Sequence, residues 1–89
     1  MNDTIYVIIC RVWRDEPSRT SDGYSESVTI AGFVEDHDRA KEIVEGLASK
    51  FDMGFRWNVF GAEEHYYAWR TEETCESGIR YTIKKVKRL

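Results

Sequence analysis

The residues of this 89-residue chain with the widest chemical reach are His37 and His65, Cys10 and Cys75, and sixteen carboxylates. A metal centre would need three or four such donors at framework spacing, and none of the spacings matches a zinc or calcium pattern. His65 beside Glu63 and Glu64 offers the elements of an acid–base pair. Catalysis also needs a nucleophile or a third group that orients the base, and the spacing marks neither. The six glycines are scattered singly, so no loop is built to cradle phosphate. Cys10 alternates with apolar neighbours and reads as a small hydrophobe. Cys75 lies among Glu72, Glu73 and Glu76, an acidic setting unlike the electropositive ones of reactive thiols. Two cysteines in this setting favour thiols over a disulfide staple. The sequence thus points away from an enzyme, and offers no catalytic residue, cofactor or metal site.

The chemistry left is recognition. Six of the twelve aromatic residues fall in one fifteen-residue stretch: Phe55, Trp57, Phe60, Tyr66, Tyr67 and Trp69. Three or four of these rings could fill a core and the others lie on the surface. Alternatively they form a protein-contact face or homodimer seam, since aromatic and Arg residues are enriched at interface centres. A stacking platform for a small ligand or nucleic acid is the third reading. Trp57, Tyr66, Tyr67 and Trp69 are the candidate anchors, with Arg56 and Arg70 as orienting charges. Stacking on single strands needs bases interleaved with the rings. Here Glu63, Glu64, Glu72 and Glu73 flank the two arginines, which disfavours nucleic acid.

The elements that must position these side chains follow from periodicity. Residues 4–14 are rich in β-branched and aromatic types and apolar on both faces, as suits a central strand covered on both sides or a strand at a subunit contact. Residues 15–23, with the only proline, Pro17, read as an exposed loop. Strand character resumes over 25–34, where Gly32 marks a bulge. Ala40, Ile43, Val44, Leu47, Ala48 and Phe51 recur at helical spacing and predict a helix over 36–52, with Asp36 as N-cap, Lys50 in the last turn and Gly54 just past the end. Residues 55–59 and 65–71 alternate at strand period, 72–78 read as a turn, and 79–84 as an amphipathic strand. The order is strand, strand, helix, three strands. It predicts one α+β domain over residues 1–89: a small, mostly antiparallel sheet of four to five strands with one amphipathic helix on one face. The other face must then be polar or be covered by a partner.

Composition limits the setting. Hydrophobic residues make up 42% and charged residues 33%, an ordinary soluble balance. The apolar run from Ile5 to Cys10 is far short of a membrane span, and a polar start followed at once by a strand predicts no signal peptide and a cytoplasmic setting. The net charge of -3 hides an asymmetry: Arg80, Lys84, Lys85, Lys87 and Arg88 are unopposed in the last ten residues, and the rest is strongly acidic. Lys84, Lys85, Lys87 and Arg88 are the candidate contacts if the chain is instead a nucleic-acid-associated regulator.

The strand running into Gly32-Phe33-Val34, followed by the helix opening Glu35-Asp36-His37-Asp38-Arg39-Ala40-Lys41-Glu42-Ile43 and a final strand Ile79-Arg80-Tyr81-Thr82-Ile83, resembles small uncharacterised phage and prophage accessory proteins of strand–strand–helix–strand type. The resemblance is one of architecture and covers about half the chain; the aromatic segment from Phe55 to Trp69 departs from it. It implies a phage or mobile-element protein that binds and inhibits or modulates a host protein, such as a defence nuclease, and it carries over no site residue.

Overall fold

The computed structural model describes residues 4–15, 24–72 and 75–87. It comprises β1 (Thr4–Asp15), β2 (Tyr24–Val34), α1 (His37–Ala48), β3 (Arg56–Phe60), β4 (Glu63–Glu72) and β5 (Cys75–Lys87). The strands form one antiparallel sheet in the order β2-β1-β5-β4-β3. This is the α+β architecture expected, with five strands and the helix on one face.

The β-branched run of β1 suits an interior position, between β2 and β5. Its even-numbered residues face the helix. Ile8 pairs with Ile83 and Cys10 with Tyr81, and Ile8, Ile83 and Tyr81 are buried. Its odd-numbered residues Ile5, Val7 and Ile9 therefore line the opposite face. No described element covers that side, so the expectation of a strand covered on both faces is met on one only.

The break at Gly32 is a bulge. Ile8 pairs with Gly32 but Ile9 pairs with Ile30, which leaves Ala31 as an extra residue. In a regular strand Val34 and Ile30 would share a face. The extra residue keeps Val34 against the helix-side core and turns Ile30 and Val28 to the open side.

The helix begins as its sequence predicts, with the Asp36 carboxylate accepting the Asp38 N–H at 3.1 Å. Ala40, Val44 and Ala48, spaced four apart, bury its core-facing stripe. It ends earlier than expected. Ser49 is the C-cap, its N–H bonding Glu45 O at 3.0 Å and its Oγ bonding Gly46 O at 2.7 Å. The next amides bond three residues back, Lys50 to Leu47 O and Phe51 to Ala48 O, which tightens the chain out of the α-helix. Phe51 consequently leaves the apolar stripe and is exposed, Lys50 lies beyond the last turn, and Gly54 takes no left-handed conformation.

The last two hairpins also differ from the sequence reading. Gly61 opens a two-residue connection between β3 and β4 at φ 60°, a positive φ that Gly supplies at no steric cost. Residues 72–78, expected as a turn, mostly continue the β4–β5 ladder: Glu72 pairs with Cys75, Thr71 with Glu76, Arg70 with Ser77 and Trp69 with Gly78. Ladder pairing overrides the weak strand propensity of this acidic, Ser- and Gly-containing segment.

Three polar contacts tie the helix to the sheet beyond its apolar stripe. His37 pairs with Glu64 on β4, the Trp57 indole N–H donates to Glu45 at 3.3 Å, and the Lys41 ammonium sits 4.8 Å from the Trp57 ring centre. Because Ile8 and Ile83 are wholly enclosed at the centre of the sheet, replacing either with Ala should cost about 2–5 kcal/mol. Leu47→Ala, at the half-buried margin of the helix, should cost less. Urea titrations of the three variants check the order.

Candidate functional site

Strand alternation divides the aromatic segment between the two faces of the sheet. Trp57 pairs with Tyr66, and Tyr66 with Tyr81, all on the helix side. Their rings form a continuous wall with Phe55: Trp57 and Tyr66 centroids are 4.5 Å apart, Phe55 and Tyr66 5.2 Å, Phe55 and Tyr81 6.2 Å. These rings extend the core past the flank of the helix. Arg70 lies on the same side, where its guanidinium donates to the Asp52 carbonyl at 3.1 Å and clamps the segment after the helix.

Tyr67, Trp69 and Phe60 point the other way. Tyr67 and Trp69, two residues apart on β4, stack with centroids 5.6 Å apart and planes 5° from parallel. Phe60 packs edge-on against His65 at 5.6 Å, and Arg56 lies exposed opposite Tyr67. The six candidate contact residues therefore do not form one face: Arg56, Tyr67 and Trp69 share the open side, while Trp57, Tyr66 and Arg70 lie on the helix side.

The structure adds residues to the open face that sequence reasoning missed. Trp13 lies over Gly78 so closely that a Cβ there would sit 2.6 Å from the indole. Since Gly78 pairs with Trp13 on one side and Trp69 on the other, the bare glycine lets an indole lie across β5. Together Arg11, Trp13, Asn58, Phe60, His65, Tyr67, Trp69 and Arg80 line a hollow of about 330 Å³. Beside it, toward the β2 edge, Val28, Ile30 and Phe33 are 60%, 67% and 69% exposed, and Trp69 is 58% exposed. The signal for this surface was the two-sided apolar pattern of β1, together with Val28, Ile30 and Phe33 of β2. Not every exposed apolar residue belongs here: Val12 and Val59 lie on the helix side.

Several charges on this face are paired. Arg11 donates to Glu26 at 2.8 Å, and the Tyr24 hydroxyl donates to the same carboxylate at 2.6 Å. Those hydrogen bonds, Arg11 first and Tyr24 second, hold the Glu26 carboxyl down to about 2. Glu63 lies 4.0 Å from Lys84 and 3.4 Å from His65 Nε2. His65 is buried, and its Nδ1 hydrogen-bonds Thr82 Oγ1 at 2.9 Å. Burial lowers its pKa, the Arg80 charge lowers it further, and Glu63 opposes the change.

The remaining candidates for chemistry are dispersed. His37 and His65 stand on opposite faces of the sheet, so they cannot share a metal ion. Among the described residues no three His, Cys, Asp or Glu side chains cluster as metal donors. Cys10 pairs with Tyr81, six residues along β5 from Cys75, or about 20 Å at strand rise, beyond disulfide reach. Burial pushes the Cys10 thiol up, and the Tyr81 hydroxyl beside it is pushed up to about 12, chiefly by burial. In the basic end, Lys84 lies on the open face, whereas Lys85 and Lys87 alternate to the other side; Arg88 lies outside the described residues. No described helix is long and apolar enough to cross a membrane. No family model, curated protein or solved structure matches the chain.

The lowered His65 pKa has a consequence with a definite sign. The unfolded imidazole, titrating near 6.5, takes up its proton before the native one does. The contribution to stability is therefore present above pH 6.5 and is lost as pH falls through 6.5 and the lower native value. Urea midpoints measured between about pH 7.5 and 5 should fall more steeply for the wild type than for His65→Gln. Parallel slopes would show that His65 carries no such linkage.

Proposed function

We propose that this chain is a non-enzymatic protein-binding module that docks on its partner through the open face of the sheet. One observation carries the reading: the second face of a five-stranded sheet has no covering layer among the described residues, yet it presents Val28, Ile30, Phe33, Tyr67 and Trp69 beside its charged groups. Exposed apolar surface of this kind, with aromatic and Arg residues at its centre, is the composition of contact sites. The contact residues proposed are thus Tyr67, Trp69 and Arg56 from the aromatic segment, joined by Trp13, Val28, Ile30 and Phe33. The strand–strand–helix–strand resemblance supports a cytoplasmic role as a phage or mobile-element protein that inhibits or modulates a host protein, a defence nuclease among the candidates.

A second reading is favoured by the β2 edge. Its outer side pairs with no described strand over eleven residues, and it carries no Lys, Arg or Pro to deter another strand. A second copy could pair there and place two apolar patches side by side, which retains the homodimer reading at a new seam. The nucleic-acid alternative draws less support, because its lysines are divided between two faces.

Trp69→Ala and Phe33→Ala should each weaken binding to a captured partner by about 2–4 kcal/mol while leaving the urea midpoint nearly unchanged. Trp57→Ala and Tyr66→Ala should show the reverse. The docking reading fails if the open-face variants bind as well as wild type, or if they unfold the isolated domain. Sedimentation equilibrium at micromolar concentration separates the second reading: a clean monomer excludes the homodimer.

A further inference from the structure

The hollow on the open face contains a cation whose hydrogen-bonding capacity is incompletely used. Arg80, on the central strand β5, pairs across the sheet with Arg11 on one side and Tyr67 on the other. Its Nε is buried and finds no hydrogen-bond partner among the described residues. A guanidinium cannot shed its proton at any ordinary pH, so the group must stay a charged donor. A buried donor left unpaired is costly, and more so when charged.

The neighbouring carboxylates are engaged elsewhere. Glu26 feels the Arg80 charge, but its carboxylate takes hydrogen bonds from Arg11 and Tyr24. Glu63 is shared between Lys84 and His65. His65 stays neutral at physiological pH, since its pKa is lowered, and its Nδ1 is occupied by Thr82. Arg11 is offset by Glu26, which leaves the Arg80 charge uncompensated in a hollow walled by Trp13, Phe60, Tyr67 and Trp69.

We propose that this hollow receives a carboxylate side chain from the docking partner, with the guanidinium of Arg80 as its receptor. The inference rests on the docking reading and names the partner's chemistry: an acidic residue flanked by flat or apolar groups. A planar monoanion matches the fork of one guanidinium, which can meet a carboxylate with two parallel N–H···O bonds. The aromatic walls exclude water from that pair and offer rings to the groups beside it. A phosphate-rich partner fits less well. It carries more charge than one uncompensated cation offsets, and the chain as a whole is acidic at -3.

The direct test uses the wild-type chain, ¹⁵N-labelled, with the Arg Nε–H and Trp indole N–H signals followed by NMR. The probes are phenylacetate, its uncharged isostere phenylacetamide, and inorganic phosphate. Phenylacetate should shift the Arg80 Nε–H and the indoles of Trp13 and Trp69 saturably, binding about tenfold or more tightly than either control. Arg80→Gln and Arg80→Lys should both lose that preference, the second because it keeps the charge but not the planar fork. Absence of a saturable shift, equal binding of the amide, or preference for phosphate overturns the proposal, and none of these depends on a variant folding. If the probe fails while Phe33→Ala and Trp69→Ala still weaken the partner, docking stands and only the carboxylate site falls.

Discussion

The structure depends on a mismatch of lengths. The helix has 12 residues and spans about 18 Å, whereas β1 and β5 have 12 and 13 residues and extend about 40 Å. One such helix covers only part of one face. The buried core accordingly gathers where α1 meets β1 and β5, and the rest of that side is closed by side chains alone. The wall of Phe55, Trp57 and Tyr66 carries the core past the flank of the helix, held by the Glu45 and Lys41 contacts to Trp57. Nothing described in the chain performs that service for the other face.

Two backbone devices determine what the uncovered face displays. The extra residue Ala31 reverses the facing of β2 part-way along, so that one strand gives Val34 to the core and Val28 and Ile30 to the open side. Gly78, without a Cβ, lets Trp13 lie across β5 in line with Trp69. The face thus joins an apolar edge to an aromatic hollow on one continuous sheet. Arg11 pairs there with Glu26 and Glu63 with Lys84, whereas at the centre the buried Nε of Arg80 finds no hydrogen-bond partner among the described residues. The docking role proposed above would gain selectivity from such an arrangement, because apolar area supplies affinity and one half-buried charge discriminates between partners.

The elements were legible where period and local chemistry agree. The stripe of Ala40, Val44 and Ala48 behind the Asp36 cap specified the helix start and its buried side. Its end was misplaced because Phe51 fits the helical period but lies past the C-cap Ser49, where hydrogen bonding switches to three residues back. The segment 72–78 looked like a turn because Glu, Ser and Gly are poor strand formers, and long-range pairing with β1 and β4 overrode that preference. In the aromatic segment from Phe55 to Trp69, sequence density treated as one surface what strand alternation splits between two faces.

By itself the sequence determined the α+β class, the single cap-defined helix, the two-sided apolar character of β1 and the excess of rings over interior. These follow from nearest-neighbour chemistry and periodicity, which act over a few residues. Tertiary structure alone decided that Tyr67 and Trp69 face outward while Trp57 and Tyr66 face the helix. It also decided that Trp13, Phe33 and Arg80 join the outward set. Those assignments depend on strand order, cross-strand register and one inserted bulge residue. Each links positions tens of residues apart, where the identities of adjacent side chains carry no information.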